Sequence, residues 1–163
     1  MKRLILMRHA KSTWDDPTLD DHDRPLNGRG RVSARVTGDW LRAQGYLPDL
    51  VLSSTSARTR ETYARLNIIC DAQFLDGLYH ASSEVMMRVL QKAEGETLLM
   101  LGHNPGIAWF AQNLVAVPPP HSRFYDYPTC ATLVADFEVA SWSDVRPGSG
   151  QAKAFVIPRE LTG

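Results

Sequence analysis

The sequence predicts an α/β fold with three α/β/α layers, in which helices cover both faces of a mostly parallel central sheet. Two observations lead to this prediction. Short apolar runs alternate with helical patterns along most of the chain, and the last two apolar runs have no helix between them. Alternation favours parallel pairing, whereas strands joined by a loop favour an antiparallel strand near the C-terminus. Without an internal repeat or a strong linker, residues 1–163 are expected to form one domain.

The predicted strands are short apolar runs that end sharply at polar residues or glycine. They cover 3–8, 49–54, 72–75, 97–103, 130–139 and 152–158. The predicted helices have apolar residues at helical spacing and cover 28–45, 55–68, 82–95 and 104–115. The inward face of the first helix is expected to comprise Val32, Val36, Trp40 and Ala43. Asn104 is expected to cap the last helix, with Pro105 at its first position.

Composition and charge narrow the possible functions. The 18 Lys and Arg residues balance the 18 Asp and Glu residues, so no overall field would draw the chain to nucleic acid or to a membrane surface. The apolar run before Arg8 is too short for a signal sequence or a membrane span. Cys70 and Cys130 lack the spacing of metal ligands and are expected to be reduced, packed thiols of a cytoplasmic protein.

Cationic and reactive residues follow three of the predicted strands. The first strand ends at Arg8 and His9, and the third major strand ends at His103. Arg58 lies in the first turn of the helix that follows the second. Each residue alone could be a surface arginine or a structural histidine. Because the carboxyl ends of parallel strands share one edge, where ligands bind, we expect the four to meet and to hold a dianionic phosphoryl group.

His9 is the predicted nucleophile of this site. Imidazole must be neutral to attack phosphorus, and neighbouring guanidinium groups favour the neutral form by repelling the imidazolium. A backbone carbonyl is expected to hold the other ring nitrogen and so to fix the tautomer. The chain has no Walker-type phosphate loop, and its aspartates at 15, 16, 20, 21 and 23 are expected to cap and solubilise a loop. We therefore expect no cofactor and no metal ion.

Three motifs, MRHAKST, VLSSTSARTRET and LLMLGHNPG, resemble in order the conserved blocks of the histidine phosphatase superfamily, once named for phosphoglycerate mutase. The short chain and the DRPLNGRG segment at 23–30 resemble the SixA branch of small phosphohistidine phosphatases. The resemblance covers nearly the whole chain. It implies a phosphoglycerate mutase-like fold and metal-independent hydrolysis through a covalent phosphohistidine. In this scheme His9 is the nucleophile, and the phosphate pocket comprises Arg8, Arg58 and His103.

Two small departures from the family pattern lie near the predicted nucleophile. Ala10 replaces the glycine of the family's Arg-His-Gly motif, which is a small change. Asp15 replaces a commonly found asparagine. Because a carboxylate repels a dianion, Asp15 is expected to point away from the site or to pair with Arg24 or Arg29. The residues expected to contact the substrate are Ser12, Asp21, Arg24 and Asn104.

The third departure concerns the proton donor. The general-acid glutamate of larger family members has its nearest counterpart at His80. We hypothesise that His80 donates the proton; Asp21 is a second candidate, and a purely structural histidine is the alternative. A phosphohistidine nitrogen is a better leaving group than an alkoxide and needs less help from an acid. The expected substrate is therefore a phosphorylated histidine of a protein.

Two other functions remain open at this point. One is a phosphatase of the same superfamily that hydrolyses a small phosphate ester. The other is a phosphate- or phosphoprotein-binding module without turnover. The sequence also leaves open whether 117–128 forms a lid or an inert loop, although its aromatic residues are expected to pack.

Overall fold

A six-stranded mixed sheet forms the centre of the structure, which is a computed structural model describing residues 1–162. The strands are β1 (Lys2–Arg8), β2 (Leu50–Ser54), β3 (Asp71–Leu75), β4 (Thr97–Gly102), β5 (Thr132–Phe137) and β6 (Gln151–Val156). The helices are α1 (Gly28–Gln44), α2 (Ala57–Leu66), α3 (Ser83–Gln91), α4 (Gly106–Leu114) and α5 (Pro158–Thr162). The sequence pattern predicts no helix at α5 and predicts that the last strand extends to Pro158, whereas β6 ends at Val156 and Pro158 begins the helix.

The strand order is β3-β2-β4-β1-β5-β6. The first four of these strands pair in parallel, while β5 is antiparallel to both β1 and β6. This arrangement confirms the predicted α/β fold with its antiparallel strand near the C-terminus. Since β1 and β4 lie side by side in the middle of the sheet, their carboxyl ends meet at its centre.

The central strand β1 is buried on both faces of the sheet. Leu4 and Leu6 pack into a core with α3 and α4, whereas Ile5 and Met7 pack into a second core with α1 and α2. Side chains of a strand alternate between its two faces, so the continuous apolar run supplies both cores at once. The three layers follow from this alternation. No helix in residues 1–162 combines the length and the apolar character needed to cross a membrane.

The inward face of α1 differs from the prediction. Its buried residues are Gly30, Ala34, Thr37, Gly38 and Leu41. Val32 and Ala43 are exposed, and Val36 and Trp40 are only partly buried. A Cβ atom on Gly38 would lie 2.1 Å from the carbonyl oxygen of Leu66, so the small-residue face allows α1 to pack directly against the backbone that ends α2. Close backbone approach, rather than apolar bulk, decides which face turns inward.

The start of α4 also differs from the prediction, because Asn104 does not cap it. The helix begins at Gly106, and Pro105 is the preceding residue. The Asn104 side-chain amide instead donates to the carbonyls of Asp126 and Tyr127, at 2.9 and 3.1 Å. A Cβ atom on Gly106 would lie 1.8 Å from the carbonyl oxygen of Ala81, so this glycine allows close packing at the helix start.

The segment 117–128 packs against the sheet. Phe124 and Tyr127 are fully buried, whereas Tyr125 is exposed. The hydroxyl of Tyr127 donates to the carbonyl of Leu6 and accepts from the N–H of Leu133, two residues that face each other across β1 and β5. Tyr127 therefore fastens this segment to the strand pair beside the predicted site.

Candidate active site

Two central strands bring the predicted histidines together. β1 ends at Arg8, whose register partner in β4 is Gly102. The following residues are His9 and His103, and the centroids of their imidazole rings are 5.3 Å apart. The N–H of His9 donates to the carbonyl of Gly102 at 3.1 Å, which fixes its backbone beside β4.

The end of β2 and the start of α2 add an arginine to the same edge. The side chain of Ser56 caps α2 by accepting from the N–H of Thr59, so Arg58 lies in the first turn. The guanidinium of Arg58 is buried, with 2% of its side chain exposed. Because β2 pairs in parallel with β4, the first turn of α2 lies at the same edge of the sheet as His103.

These strand ends line a cavity of about 460 Å³, which we call the strand-end cavity. Every residue that the sequence predicted for the site lies in its wall, and Lys11, Trp14 and Thr129 complete it. No residue of 117–128 lines this cavity. The geometry therefore brings the predicted residues together, while their chemical roles remain predictions.

The buried His9 is held as a neutral imidazole. Its Nδ1 lies 2.7 Å from the carbonyl oxygen of Ala10. Since a carbonyl only accepts, Nδ1 carries the hydrogen and Nε2 keeps a free lone pair. Burial lowers the pKa of His9 to about 3; the bond to Ala10 opposes this shift, and the positive charges of Arg8 and Arg58 reinforce it. The Ala10 N–H donates to Thr62 Oγ1 at 2.9 Å, which fixes the turn after the strand.

His103 is also buried and neutral. Its Nε2 lies 2.8 Å from Ser54 Oγ, which in turn accepts from the N–H of Ser56. Burial, reinforced by the nearby His9 and Arg58, lowers the pKa of His103 to about 2. When the Ser54 hydroxyl donates to Nε2, the hydrogen of the ring lies on Nδ1, which is then a free donor.

The two arginines are anchored at their terminal nitrogens. Arg8 Nη1 donates to the carbonyl of Tyr127 at 3.2 Å. Arg58 donates from Nη1 to the Asp21 carbonyl at 2.7 Å and from Nη2 to Asp21 Oδ2 at 2.9 Å. Burial and the positive charge of Arg58 lower the pKa of Arg8. We call Arg8, His9, Arg58 and His103 the inner group.

Unpartnered polar atoms are concentrated in this cavity. Within residues 1–162, the buried side-chain nitrogen and oxygen atoms without a hydrogen-bond partner are Arg8 Nε, Arg58 Nε, His103 Nδ1 and Asn104 Oδ1. All four belong to residues of the cavity wall, and the three nitrogens belong to the inner group. An unmet buried group costs about 1–3 kcal/mol. An anion that accepts from these nitrogens would offset that cost.

A second group of side chains surrounds the carboxylate of Asp21, and we call Asp21, Tyr79 and His80 the outer group. Asp21 Oδ2 accepts from the Tyr79 hydroxyl and lies 3.0 Å from His80 Nε2. Its Oδ1 accepts from Arg24 Nη2 at 3.0 Å. Burial opposes ionisation, but hydrogen bonds from Tyr79, Arg58, His80 and Arg24 outweigh it and hold the pKa of Asp21 well below its usual range. This carboxylate stays ionised and is a poor source of protons.

His80 lines the cavity and is also open to solvent. Its ring centroid is 5.0 Å from that of His103 and 4.2 Å from that of Tyr79. Its backbone φ is 51°, a left-handed conformation that turns the chain immediately before α3. Half of the His80 side chain is exposed, so it can meet both solvent and a bound molecule.

Arg24 links the outer group to the opposite wall. Its Nη1 donates to Ser12 Oγ at 2.8 Å, and its guanidinium stacks over the ring of Trp14 at 3.5 Å. Trp14 is 76% exposed. Asp15 is exposed, lies outside the cavity wall and pairs with neither Arg24 nor Arg29, so it points away as one of the two expected alternatives.

Sequence reasoning missed several side chains of the site. Ser54 holds His103, and its place at the end of β2 was the available signal. Tyr79 and Trp14 offered no comparable signal, because their positions depend on how two loops fold onto the cavity. Tyr127 contributes through its carbonyl group, which a side-chain pattern does not reveal.

The thiols and the acidic residues form no metal site in the described chain. Across residues 1–162, no group of three His, Cys, Asp or Glu side chains is placed to hold a metal ion. Both cysteines are free; Cys130 is buried, and burial raises the pKa of its thiol to about 12.

Comparisons with known proteins agree with this geometry. Residues 4–78 match the model of the histidine phosphatase superfamily, branch 1. An uncharacterised protein of Mycobacterium tuberculosis is 35% identical over 161 residues, covering 94% of this chain and 100% of that protein. The SixA structure from Nakamurella multipartitia has a TM-score of 0.83 and 27% identity, with 96% of each chain covered.

Two further SixA structures have the same fold. The one from Agrobacterium tumefaciens has a TM-score of 0.78 and 27% identity, covering 96% of this chain and 98% of that chain. The protein histidine phosphatase SixA complexed with tungstate has a TM-score of 0.79 and 22% identity, covering 98% of this chain and 99% of that chain. The chain therefore belongs to the histidine phosphatase superfamily, in its SixA-type branch.

Proposed function

We propose that this phosphatase hydrolyses phosphohistidine on a protein through a covalent phosphohistidine intermediate on His9, without a metal ion. The observation that carries the proposal is the inner group. It combines a neutral imidazole, whose Nε2 lone pair is free, with unpartnered donors on Arg8, Arg58 and His103. A nucleophile surrounded by donors suits a phosphoryl group in transfer, whose charge is spread over three oxygens.

In the first step, His9 Nε2 forms a bond to phosphorus while the bond from phosphorus to the substrate nitrogen breaks. The electron pair of that bond stays on the substrate imidazole, which takes up a proton from His80. Water then attacks phospho-His9 and gives a proton back to His80, the bond to Nε2 breaks with its electron pair returning to His9, and inorganic phosphate leaves. Arg8, Arg58 and His103 donate to the phosphoryl oxygens throughout.

The outer group supplies the leaving-group side of the reaction. Asp21 is held ionised by its hydrogen bonds, which makes it unsuitable as the proton donor. His80 is the remaining candidate from the sequence, and the carboxylate of Asp21 orients its Nε2. Because Asp21 is ionised, no carboxylic acid is left among the candidate proton donors, and the site favours substrates whose leaving group needs little acid catalysis. Phosphohistidine is such a substrate.

The test measures turnover and the intermediate together. Wild type and His9→Ala are incubated with a histidine-phosphorylated peptide and with p-nitrophenyl phosphate, in buffer with and without EDTA. We expect wild type to hydrolyse both, EDTA to have no effect, and vanadate to inhibit. A rapid quench should trap acid-labile phosphate on wild type and none on His9→Ala.

Several results would overturn the proposal. Wild-type turnover by His9→Ala would exclude His9 as the nucleophile, and a loss of activity in EDTA would exclude metal-independent chemistry. Hydrolysis of small phosphate esters at a much higher kcat/KM than the peptide would identify a small-molecule phosphatase. Tight binding of phosphate without any turnover would identify a binding module. The cytoplasmic location remains a prediction from the sequence.

A further inference from the structure

A second cleft opens beside the strand-end cavity. Its volume is about 690 Å³, and its walls come from the start of α1, the segment before β5, and α5. Four basic side chains line it: Lys11, Arg29, Arg123 and Arg159. We call it the basic cleft. Lys11 and Thr129 line both spaces, so the basic cleft adjoins the strand-end cavity along a shared wall.

Most of the positive charge in the basic cleft is not neutralised within the chain. The side chains of Lys11, Arg29 and Arg159 are exposed and have no ion pair or hydrogen bond to any residue of 1–162. Arg123 is the exception, because it pairs with Asp126 at 2.9 Å. The whole chain has a formal charge of zero, so this concentration of free cations is a local feature.

The wall of the cleft is closely packed, and its lining includes apolar side chains. A Cβ atom on Gly30 would lie 2.0 Å from the carbonyl of Lys11, and the Asn27 N–H donates to that carbonyl at 3.0 Å, so α1 is packed tightly against this wall. Val32 and Ile157 add apolar surface to the lining of the cleft. A lining that combines cations with apolar side chains suits a stretch of protein chain better than a free inorganic ion.

The loop that follows Lys11 and Ser12 in the chain carries the opposite charge. The loop at 14–23 carries four exposed aspartates: Asp15, Asp16, Asp20 and Asp23. A substrate with carboxylates near its phosphorylated residue would be repelled by this loop and attracted to the basic cleft. The charge distribution thus favours one orientation of such a substrate.

We propose that the basic cleft docks an acidic segment of the phosphorylated protein while its phosphohistidine occupies the strand-end cavity. This inference rests on the proposed function and adds the chemistry of the partner. Complementary charge at the rim of an interface raises the association rate and fixes register. The site would then select acidic phosphoproteins over isolated phosphate compounds.

The test uses two charge-reversal pairs. Arg29→Glu/Arg159→Glu reverses charge in the basic cleft, and Arg35→Glu/Arg88→Glu reverses the same charge at exposed arginines that do not line it. Fluorescence anisotropy measures binding of two peptides that carry a hydrolysis-resistant phosphohistidine analogue, flanked by Glu in one and by Gln in the other. We expect wild type and the Arg35→Glu/Arg88→Glu control to bind the Glu peptide with about 10-fold higher affinity than the Gln peptide. We expect the Arg29→Glu/Arg159→Glu variant to lose this preference.

Equal affinity of wild type for both peptides would overturn the docking proposal, as would loss of the preference in both variants. A small bisphosphate that binds more tightly than the Glu peptide, with a dependence on Arg29 and Arg159, would identify a second phosphate subsite instead. Turnover of p-nitrophenyl phosphate should stay within about twofold in all variants. The binding measurement does not depend on turnover. If the wild type fails to hydrolyse phosphohistidine, the proposed function is refuted. The preference for the Glu peptide still tests the docking proposal separately.

Discussion

The inner and outer groups of the strand-end cavity are built very differently. His9, His103 and Arg58 are 6%, 3% and 2% exposed and lie at the ends of sheet strands or in the first turn of a capped helix. The side chains of His80 and Asp21 are 50% and 39% exposed, and they lie in a turn and in a single turn of 3₁₀ helix at Asp21–Asp23. A rigid group can hold the same phosphoryl group in every substrate, while an open group leaves room for different leaving groups.

The largest expected effect concerns the inner group. Arg58→Ala should lower kcat/KM by about 100- to 1000-fold for every substrate, since it removes a preorganised donor to the phosphoryl oxygens. Arg58→Lys should recover only part of the loss, because a lysine cannot reproduce the planar fork. Steady-state kinetics with the phosphopeptide and p-nitrophenyl phosphate checks this. A loss below about tenfold with a folded variant would remove Arg58 from the phosphoryl site.

The outer group should respond in a substrate-dependent way. His80→Ala should lower kcat/KM by about 100-fold for an alkyl phosphate, whose leaving group needs a proton, and by less than about threefold for p-nitrophenyl phosphate. His80→Gln is the matched control for shape without proton transfer. An equal loss of kcat/KM on both substrates would assign His80 a structural role. The outer group would then not differ from the inner group in its dependence on the leaving group.

The buried histidines should make the fold sensitive to acid. Below about pH 6.5 an unfolded chain protonates both histidines, whereas the folded protein keeps His9 neutral to about pH 3 and His103 to about pH 2. The free energy of unfolding should therefore fall as the pH is lowered, by about 2 kcal/mol per histidine at pH 5. Urea unfolding at pH 7 and pH 5 measures this decrease in the free energy of unfolding. The decrease should be about half as large in His9→Asn as in wild type. An equal decrease in both proteins would contradict a neutral His9 in the folded state.

The smallest effect concerns the anchor behind Arg8. Tyr127→Phe removes the hydroxyl that bridges Leu6 and Leu133 and should lower the free energy of unfolding by about 1–3 kcal/mol. Activity should change by less than about threefold, since Arg8 is held by the Tyr127 carbonyl, which the substitution keeps. Denaturant unfolding and kcat measured in parallel separate the two effects. A large loss of kcat with unchanged stability would place the hydroxyl in the catalytic machinery.

The two groups also differ in how well they could be predicted. Arg8, His9, Arg58 and His103 follow regular strands, and the geometry of parallel strands brings their ends to one edge regardless of loop details. The outer group depends on a short turn at 21–23 and on the left-handed backbone of His80. The position of His80 was inferred from family resemblance, and the role of Tyr79 was not foreseen.

The sequence by itself determined the layers, the parallel centre of the sheet and the cluster of cations and histidines at its edge, because these follow from local patterns of period 2 and 3.6. Tertiary structure alone decided which face of α1 turns inward, what Asn104 binds, and how Asp21 collects partners from two distant segments, the start of α2 and the turn at 79–80. The reason is physical: backbone contact at a glycine and hydrogen bonds between loops depend on positions that only the assembled chain defines.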